Sequence, residues 1–276
     1  MQEDAAPFFS TWLKWAWASA HAETLETEIR EYAIKVQREG GVTATSRYDP
    51  KCHCVIAIAR TIPDYPVHLG LILGDVIQAY RSSLDQLAWA LVQRGRTHDL
   101  SERAARRVYF PFAEEPSDFN DCLGVRLPGV TRTDIAKIRR YQPYHAGKRK
   151  LARHPLGTLA KLSNHDKHRT VQPLWGVPVE SQFQITQLHD CVVTRIPVRG
   201  RPKRLEVGTE IMRIYVRRTG TDPGIDMEGT ISVEPFVDDF MLLSDWLTKT
   251  TELTGLLLRE FAEPPKGLLD TIAPVA

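Results

Sequence analysis

Two stretches gather the side chains of this chain that could do chemistry. Gly74 to Val92 carries Arg81 and Asp85 four residues apart, and Leu159 to Thr170 carries Asn164, His165, Asp166, Lys167, His168 and Arg169 in succession. An imidazole can take and return a proton near neutral pH, and a guanidinium can steady the charge on a phosphorane without a metal. Arg81, Asp85, His165, Asp166 and His168 are therefore the candidate catalytic set. Asp85, His165, Asp166 and His168 are also metal-ligand types. However, His165 and His168 are three apart and diverge from the i, i+4 geometry of a two-His site, and their basic neighbours oppose a cation. No metal and no cofactor is expected, and there is no nucleophile elbow, phosphate-binding glycine loop or dinucleotide fingerprint. The same residues also have a purely structural reading. Asp166 bridging to Arg81, and Asp85 to Lys167 or Arg169, would form an interhelical ion-pair network that fixes register.

The elements that must position these groups are two helices. Leu73, Ile77, Tyr80, Leu84, Leu87 and Leu91 alternate at four and three residues, the spacing of a narrow seam facing other helices. At about 100° per residue, Arg81 lies about 80° and Asp85 about 120° from the centre of that seam, on the same side, so both flank the core. The second helix begins near Pro155 or Leu156 with Leu156, Leu159 and Leu162 on one face, and four further residues lead to Asp166 on that face. A carboxylate there needs a cation or donors, because an unpaired buried charge costs several kcal/mol. His165 and Arg169 lie on one flank of Asp166 and Lys167 on the other, while His168 points away.

The charge pattern sets these helices in a wider context. Residues 126 to 169 hold twelve Lys or Arg against two acids, +10, in a chain whose total is +2, which leaves −8 for the rest. If these bases share a surface they attract phosphate polyanions by counterion release. Arg139, Arg140, Lys148, Arg149, Lys150, Lys167 and Arg169 are the candidate nucleic-acid contacts, with Tyr141, Tyr144 and His145 interleaved for stacking. RNA or another polyanion is thus one expected partner, and a protein partner or a second copy of the chain is the other.

Reading the remainder in order gives an amphipathic helix from Phe8 to Arg38 that ends at Gly40-Gly41, with Trp12, Trp15 and Trp17 as packing residues. Two β-branched segments, Val42 to Tyr48 and Cys52 to Ala59, flank Asp49-Pro50-Lys51 and predict a hairpin. On such a strand Cys52 and Cys54 share one face and His53 takes the other. Residues 97 to 150 read as an excursion of short helices, Leu100 to Val108, Ser117 to Cys122 and Thr131 to Tyr141, the last with a capping box of Thr131 and Asp134. Phe183 to Val198, Arg204 to Arg218 and Met227 to Phe236 predict an antiparallel meander, and Asp238 to Ala262 a closing helix. The expected fold is a single α+β domain over 1–276: a helical-bundle core of four main helices, an N-terminal β-hairpin and a C-terminal β-meander. With 42% apolar and 25% charged residues, and no apolar run of membrane-spanning length, a soluble cytoplasmic protein is expected. Glu3 and Asp4 stand where a signal peptide has bases, so the N-terminal stretch reads as a retained helix. Four cysteines are too few for a disulfide framework in a chain of this size.

Tyr80-Arg81-Ser82-Ser83-Leu84-Asp85-Gln86-Leu87 and Asp166-Lys167-His168-Arg169 resemble an uncharacterised bacterial protein family marked by an LRSALDHL-like helix and a later DKHR motif. The likeness covers about a tenth of the chain and implies a shared fold, not a reaction. More distantly, the chain is similar to HEPN domains, helical bundles whose nuclease members carry an Arg, four to six residues, then His. That resemblance implies a metal-independent RNase or an inactive relative. Gln86 stands where the His belongs, and an amide cannot exchange a proton near neutral pH; His165 or His168 would have to substitute. The functional expectation is a nucleic-acid or polyanion binder through 126–169, of this HEPN-like kind. Its alternative is a non-enzymatic interaction scaffold in which Arg81, Asp85, Asp166 and Arg169 are structural.

Overall fold

In the computed structural model the chain divides into two compact units, one built from Met1–Glu26, Val67–Pro173 and Ser244–Ala276, the other from Thr27–Pro66 and Leu174–Leu243. The structure describes residues 6–96, 98–147, 151–168, 175–197, 205–238 and 241–268, with the side chains of 6, 152, 165–168, 175–184, 227–234 and 238 outside that set. The fold is α+β, with a helical core and antiparallel sheets built from N-terminal and C-terminal strands. Among the described residues no helix is long and apolar enough to cross a membrane.

The helical unit is organised on α2 (Val67–Arg94). Its six predicted seam residues, Leu73 to Leu91, are all buried, as the four-three spacing requires. The N-terminal part of α1 (Phe9–Arg38) and α7 (Leu243–Arg259) fasten to α2 through polar bonds inside the apolar core. The Tyr80 hydroxyl meets Ser19 Oγ at 3.3 Å and Thr251 Oγ1, and Ser83 Oγ donates to the Thr11 carbonyl at 2.9 Å. Trp12 Nε1 donates to the Ala262 carbonyl at 3.2 Å and Trp15 Nε1 to Thr254 Oγ1 at 3.0 Å, so these two indoles are packing residues, as expected, whereas Trp17, expected to pack with them, is exposed. α6 (Pro155–His168) packs on α2 with Leu156, Leu159 and Leu162 buried.

The described residues of 98–147 contribute buried side chains to the helical unit. Short α3 (Glu102–Ala105) leads to an extended run, then to α4 (Pro116–Arg126) and α5 (Arg132–Arg140). Phe110, Phe119, Ile138 and Gln142 are fully buried, because the aromatic side chains between the short helices supply apolar area that loop composition hides. Thr131 caps the helix as predicted, with Asp134 N donating to Thr131 Oγ1 at 3.1 Å, while the Asp134 carboxylate accepts the Thr131 hydroxyl and Arg94, each at 2.8 Å. At the C-terminus of α2, a side chain on Gly95 would collide with the Gly129 carbonyl, so the two backbones meet at van der Waals distance.

The second unit holds two sheets. β1 (Thr43–Asp49) and β2 (Cys54–Thr61) form the predicted hairpin, but β2 also pairs with β5 (Glu210–Arg218), giving the order β1-β2-β5-β4. The stretch from Phe183 to Val198 is not one strand. β3 (Trp175–His189) and β4 (Cys191–Arg195) belong to different sheets, and β3 pairs instead with β6 (Gly224–Asp238), which also pairs with β7 (Met241–Leu242). A single C-terminal meander is therefore replaced by strands shared between two sheets. The break is at Asp190, whose φ of 45° turns the chain. Its carbonyl accepts Thr219 N at 2.7 Å and its carboxylate accepts Asp222 N at 2.9 Å, which holds that carboxyl below the ordinary Asp range.

The cysteine prediction also changes. Lys51, Cys52 and His53 form a turn, with β2 starting only at Cys54, because the Asp49 carboxylate accepts Lys51 N at 2.9 Å and His53 takes a φ of 50°. Cys52 and Cys54 are joined by a disulfide, while Cys122 and Cys191 are free thiols.

Candidate functional site

Arg81 and Asp85 lie one turn apart on α2, on the flank of the seam, with side-chain exposures of 11% and 30%. Their partner in the structure is the extended segment Val108 to Ala113, which lies outside both sheets. A buried extended segment without strand neighbours leaves its N–H groups in need of acceptors. Asp85 Oδ1 accepts Phe110 N at 2.9 Å, while Oδ2 accepts Arg81 Nε at 3.0 Å. A second Arg81 nitrogen donates to the Phe110 carbonyl at 3.4 Å, and the guanidinium sits 4.4 Å from the centre of the Phe112 ring. Three residues on, Gln142 Oε1 accepts Ala113 N at 3.0 Å, and its amide nitrogen donates to the Ile138 carbonyl at 3.4 Å. One side chain from α2 and one from the residues just after α5 thus stand in for the missing strand.

A second guanidinium completes the outer edge of this cluster. Arg126 stacks on the Tyr109 ring at 3.4 Å and donates to the Arg107 carbonyl at 3.4 Å. Burial, followed by the charges of Arg107 and Arg81, pulls Arg126 below the ordinary arginine range, and Asp85 opposes the shift.

His165, Asp166, Lys167 and His168 lie on the last turn of α6, and their side chains are outside the described set. Lys148, Arg149, Lys150 and Arg169 are outside the described residues altogether. Of the candidate catalytic set, the structure therefore places two members, and it brings those two together.

Five described bases of 126–169, Arg126 among them, have partners within the fold. Arg139 donates to Asn120 at 2.8 Å and stacks on Phe119, and Arg140 pairs with Glu260 at 2.9 Å. Lys137 donates to the Glu260 carbonyl at 2.6 Å, Tyr141 donates to the Glu260 carboxylate at 3.0 Å, and Lys161 lies 4.0 Å from Glu114. Glu260, which the sequence reading passed over, is thus the anchor of α5. His154, just before α6, is pushed down to about 4 by burial and by the neighbouring His145. Among the described residues, no group of three or more His, Cys, Asp or Glu is gathered as cation ligands.

One surface of the helical unit is apolar. Phe9, Leu13 and Trp17, spaced four apart on α1, are exposed at 49%, 42% and 43%. No protein-family model, curated protein or solved structure matches the chain.

Proposed function

We propose that this chain is a non-enzymatic interaction scaffold in which Arg81 and Asp85 are structural. The observation that carries this reading is the commitment of the pair: both Asp85 oxygens and two Arg81 nitrogens are bonded inside the fold, to each other and to Phe110. A guanidinium held this way has little freedom to follow a developing phosphorane, and a carboxylate with both oxygens occupied is a poor base. Gln86, in the place of the HEPN nucleases' His, fits a relative without proton-transfer chemistry. The engaged state of Lys137, Arg139 and Arg140 also favours a scaffold over a polyanion groove.

The interacting surface on this reading is the row Phe9, Leu13 and Trp17, and its occupant is a second copy of the chain. A row with four-residue spacing packs against an identical row on another helix, so the contact is the same on both copies. Between Phe9 and Ala22 the only full charge is Lys14, so two such helices meet without a ladder of like charges.

Sedimentation equilibrium over a wide concentration range tests this, with RNA cleavage assayed in parallel with and without EDTA. The expected result is a concentration-dependent dimer that Leu13→Glu dissociates while its melting curve stays unchanged, and no cleavage of RNA. A wild type that stays monomeric throughout overturns the self-association. Cleavage lost in a folded Arg81→Met protein overturns the non-enzymatic reading.

A further inference from the structure

We infer that Cys52 and Cys54 form a thiol–disulfide exchange site that reacts with low-molecular-weight thiols and disulfides. The bond joins residues two apart. The stabilisation a disulfide gives by restricting the unfolded chain grows with the loop it closes, so this ring constrains the unfolded state least of all. The turn is also held without it. The β1–β2 ladder runs up to Asp49 opposite Cys54, and Asp49 accepts Lys51 N at 2.9 Å. Val216 N on β5 donates to the His53 carbonyl at 2.9 Å, and the Tyr48 hydroxyl meets His53 Nδ1 at 3.1 Å. Opening the disulfide therefore leaves the two sulfurs on a fixed frame, within reach of each other, which is the condition for closing it again.

The two sulfurs differ in access. Cys54 is fully buried at the start of β2, whereas Cys52 is half-buried in the turn. An incoming thiolate therefore reaches Cys52. Its sulfur forms a new bond to Cys52 Sγ as the Cys52–Cys54 bond breaks, and the electron pair leaves on Cys54 Sγ, which takes up a proton. A second thiolate attacks the external sulfur of this mixed disulfide, releases the small disulfide and leaves Cys52 as thiolate, then thiol. In sum two external thiols are oxidised to one disulfide, and their two electrons and two protons reside on the cysteine pair. The reverse sequence reduces an external disulfide. The other cysteines are differently placed: Cys191 is buried and donates to the Gly224 carbonyl at 3.2 Å, and Cys122 is half-buried on α4, where its thiol donates to the Phe119 carbonyl at 3.2 Å.

The test uses the full-length chain carrying Cys122→Ser, equilibrated in glutathione buffers from fully reduced to fully oxidised and read by mass spectrometry of the peptide that holds both cysteines. Reversible interconversion of the pair across the series is expected. Added Cys54→Ser should trap glutathione on Cys52 at least about tenfold faster than added Cys52→Ser traps it on Cys54, because the attacked sulfur must be accessible. A pair that stays oxidised in the most reducing buffer, or reduced in the most oxidising one, overturns the proposal. So does equal trapping on both sulfurs. A protein with both cysteines changed to serine should melt within a few degrees of wild type; a fall of about 10 °C or more would make the bond structural and overturn the inference.

Discussion

Replacing Asp85 by alanine removes one acceptor from Phe110 N and one from Arg81 Nε, at 2.9 Å and 3.0 Å. The bond to Phe110 is charge-assisted and contributes roughly 1.5–3 kcal/mol, and the partly exposed pair with Arg81 adds up to about 1 kcal/mol. The expected loss is therefore about 2–4 kcal/mol, or about 5–15 °C in melting temperature if the helical unit melts cooperatively. Asp85→Asn keeps an oxygen for Phe110 and should lose about half as much. Arg81→Met keeps apolar contact with Phe112 but frees one carboxylate oxygen, and should cost about 1–2 kcal/mol.

Amide hydrogen exchange makes this prediction local. In Asp85→Ala the Phe110 amide should exchange much faster, while the Ala113 amide, held by Gln142 Oε1 at 3.0 Å, should change only as far as global stability does. In Gln142→Leu the order should reverse. An Asp85→Ala protein that melts within about 1 kcal/mol of wild type, or whose Phe110 amide stays protected, would refute the role assigned to the pair. A catalytic pair would show the opposite pattern, with stability kept and turnover lost.

Three further outcomes follow from the same core. His154 has its folded pKa lowered to about 4 from 6.5, so the unfolded chain binds more protons between those values. Its contribution is fully present above about pH 6.5 and is lost as pH falls towards 4; discounted for its partial exposure it amounts to roughly 1–2 kcal/mol. Urea denaturation at pH 7.5 and 4.5 should show this loss, and His154→Gln should reduce it. Tyr80→Phe should cost about 1–2 kcal/mol in the same assay, since it removes the hydroxyl shared by Ser19 and Thr251 in a fully buried position. Gly95→Ala should cost more than about 2 kcal/mol, because the new methyl can be admitted only by moving the Gly129 backbone; a neutral effect in calorimetry would mean that the turn yields.

What the sequence made legible is what short-range physics determines. The α2 seam could be read because burial follows the helical period, and all six of its residues are buried. The Thr131–Asp134 cap and the i, i+4 relation of Arg81 and Asp85 could be read because each is complete within one turn of helix. Strand pairing was not legible in the same way. β2 is a continuous apolar run from Cys54 to Ala59, read correctly as a strand, but its other edge is filled by β5, more than a hundred residues later, and apolar composition carries no label for a partner. Asp190 and His53 adopt positive φ in stretches that read as strand, and nothing local in β-branched composition foretells either reversal.

The site failed to be legible for a related reason. Whether Arg81 and Asp85 act or hold depends on what meets them, and Tyr109-Phe110-Pro111-Phe112 carries no helical or strand period that would bring it to α2. The signal that could have found it is compositional: three aromatic residues around a proline are too apolar for a solvent-exposed connection. An apolar segment that cannot form a strand must bury its backbone elsewhere, and buried N–H groups then recruit acceptors from neighbouring elements. Asp85 and Gln142 are two such acceptors, one charged and one neutral, set three residues apart along the segment they hold. On that logic the ionisable residues beside the seam are where an unpaired backbone was accommodated, and polarity at a helix flank marks a demand made by the segment packed against it.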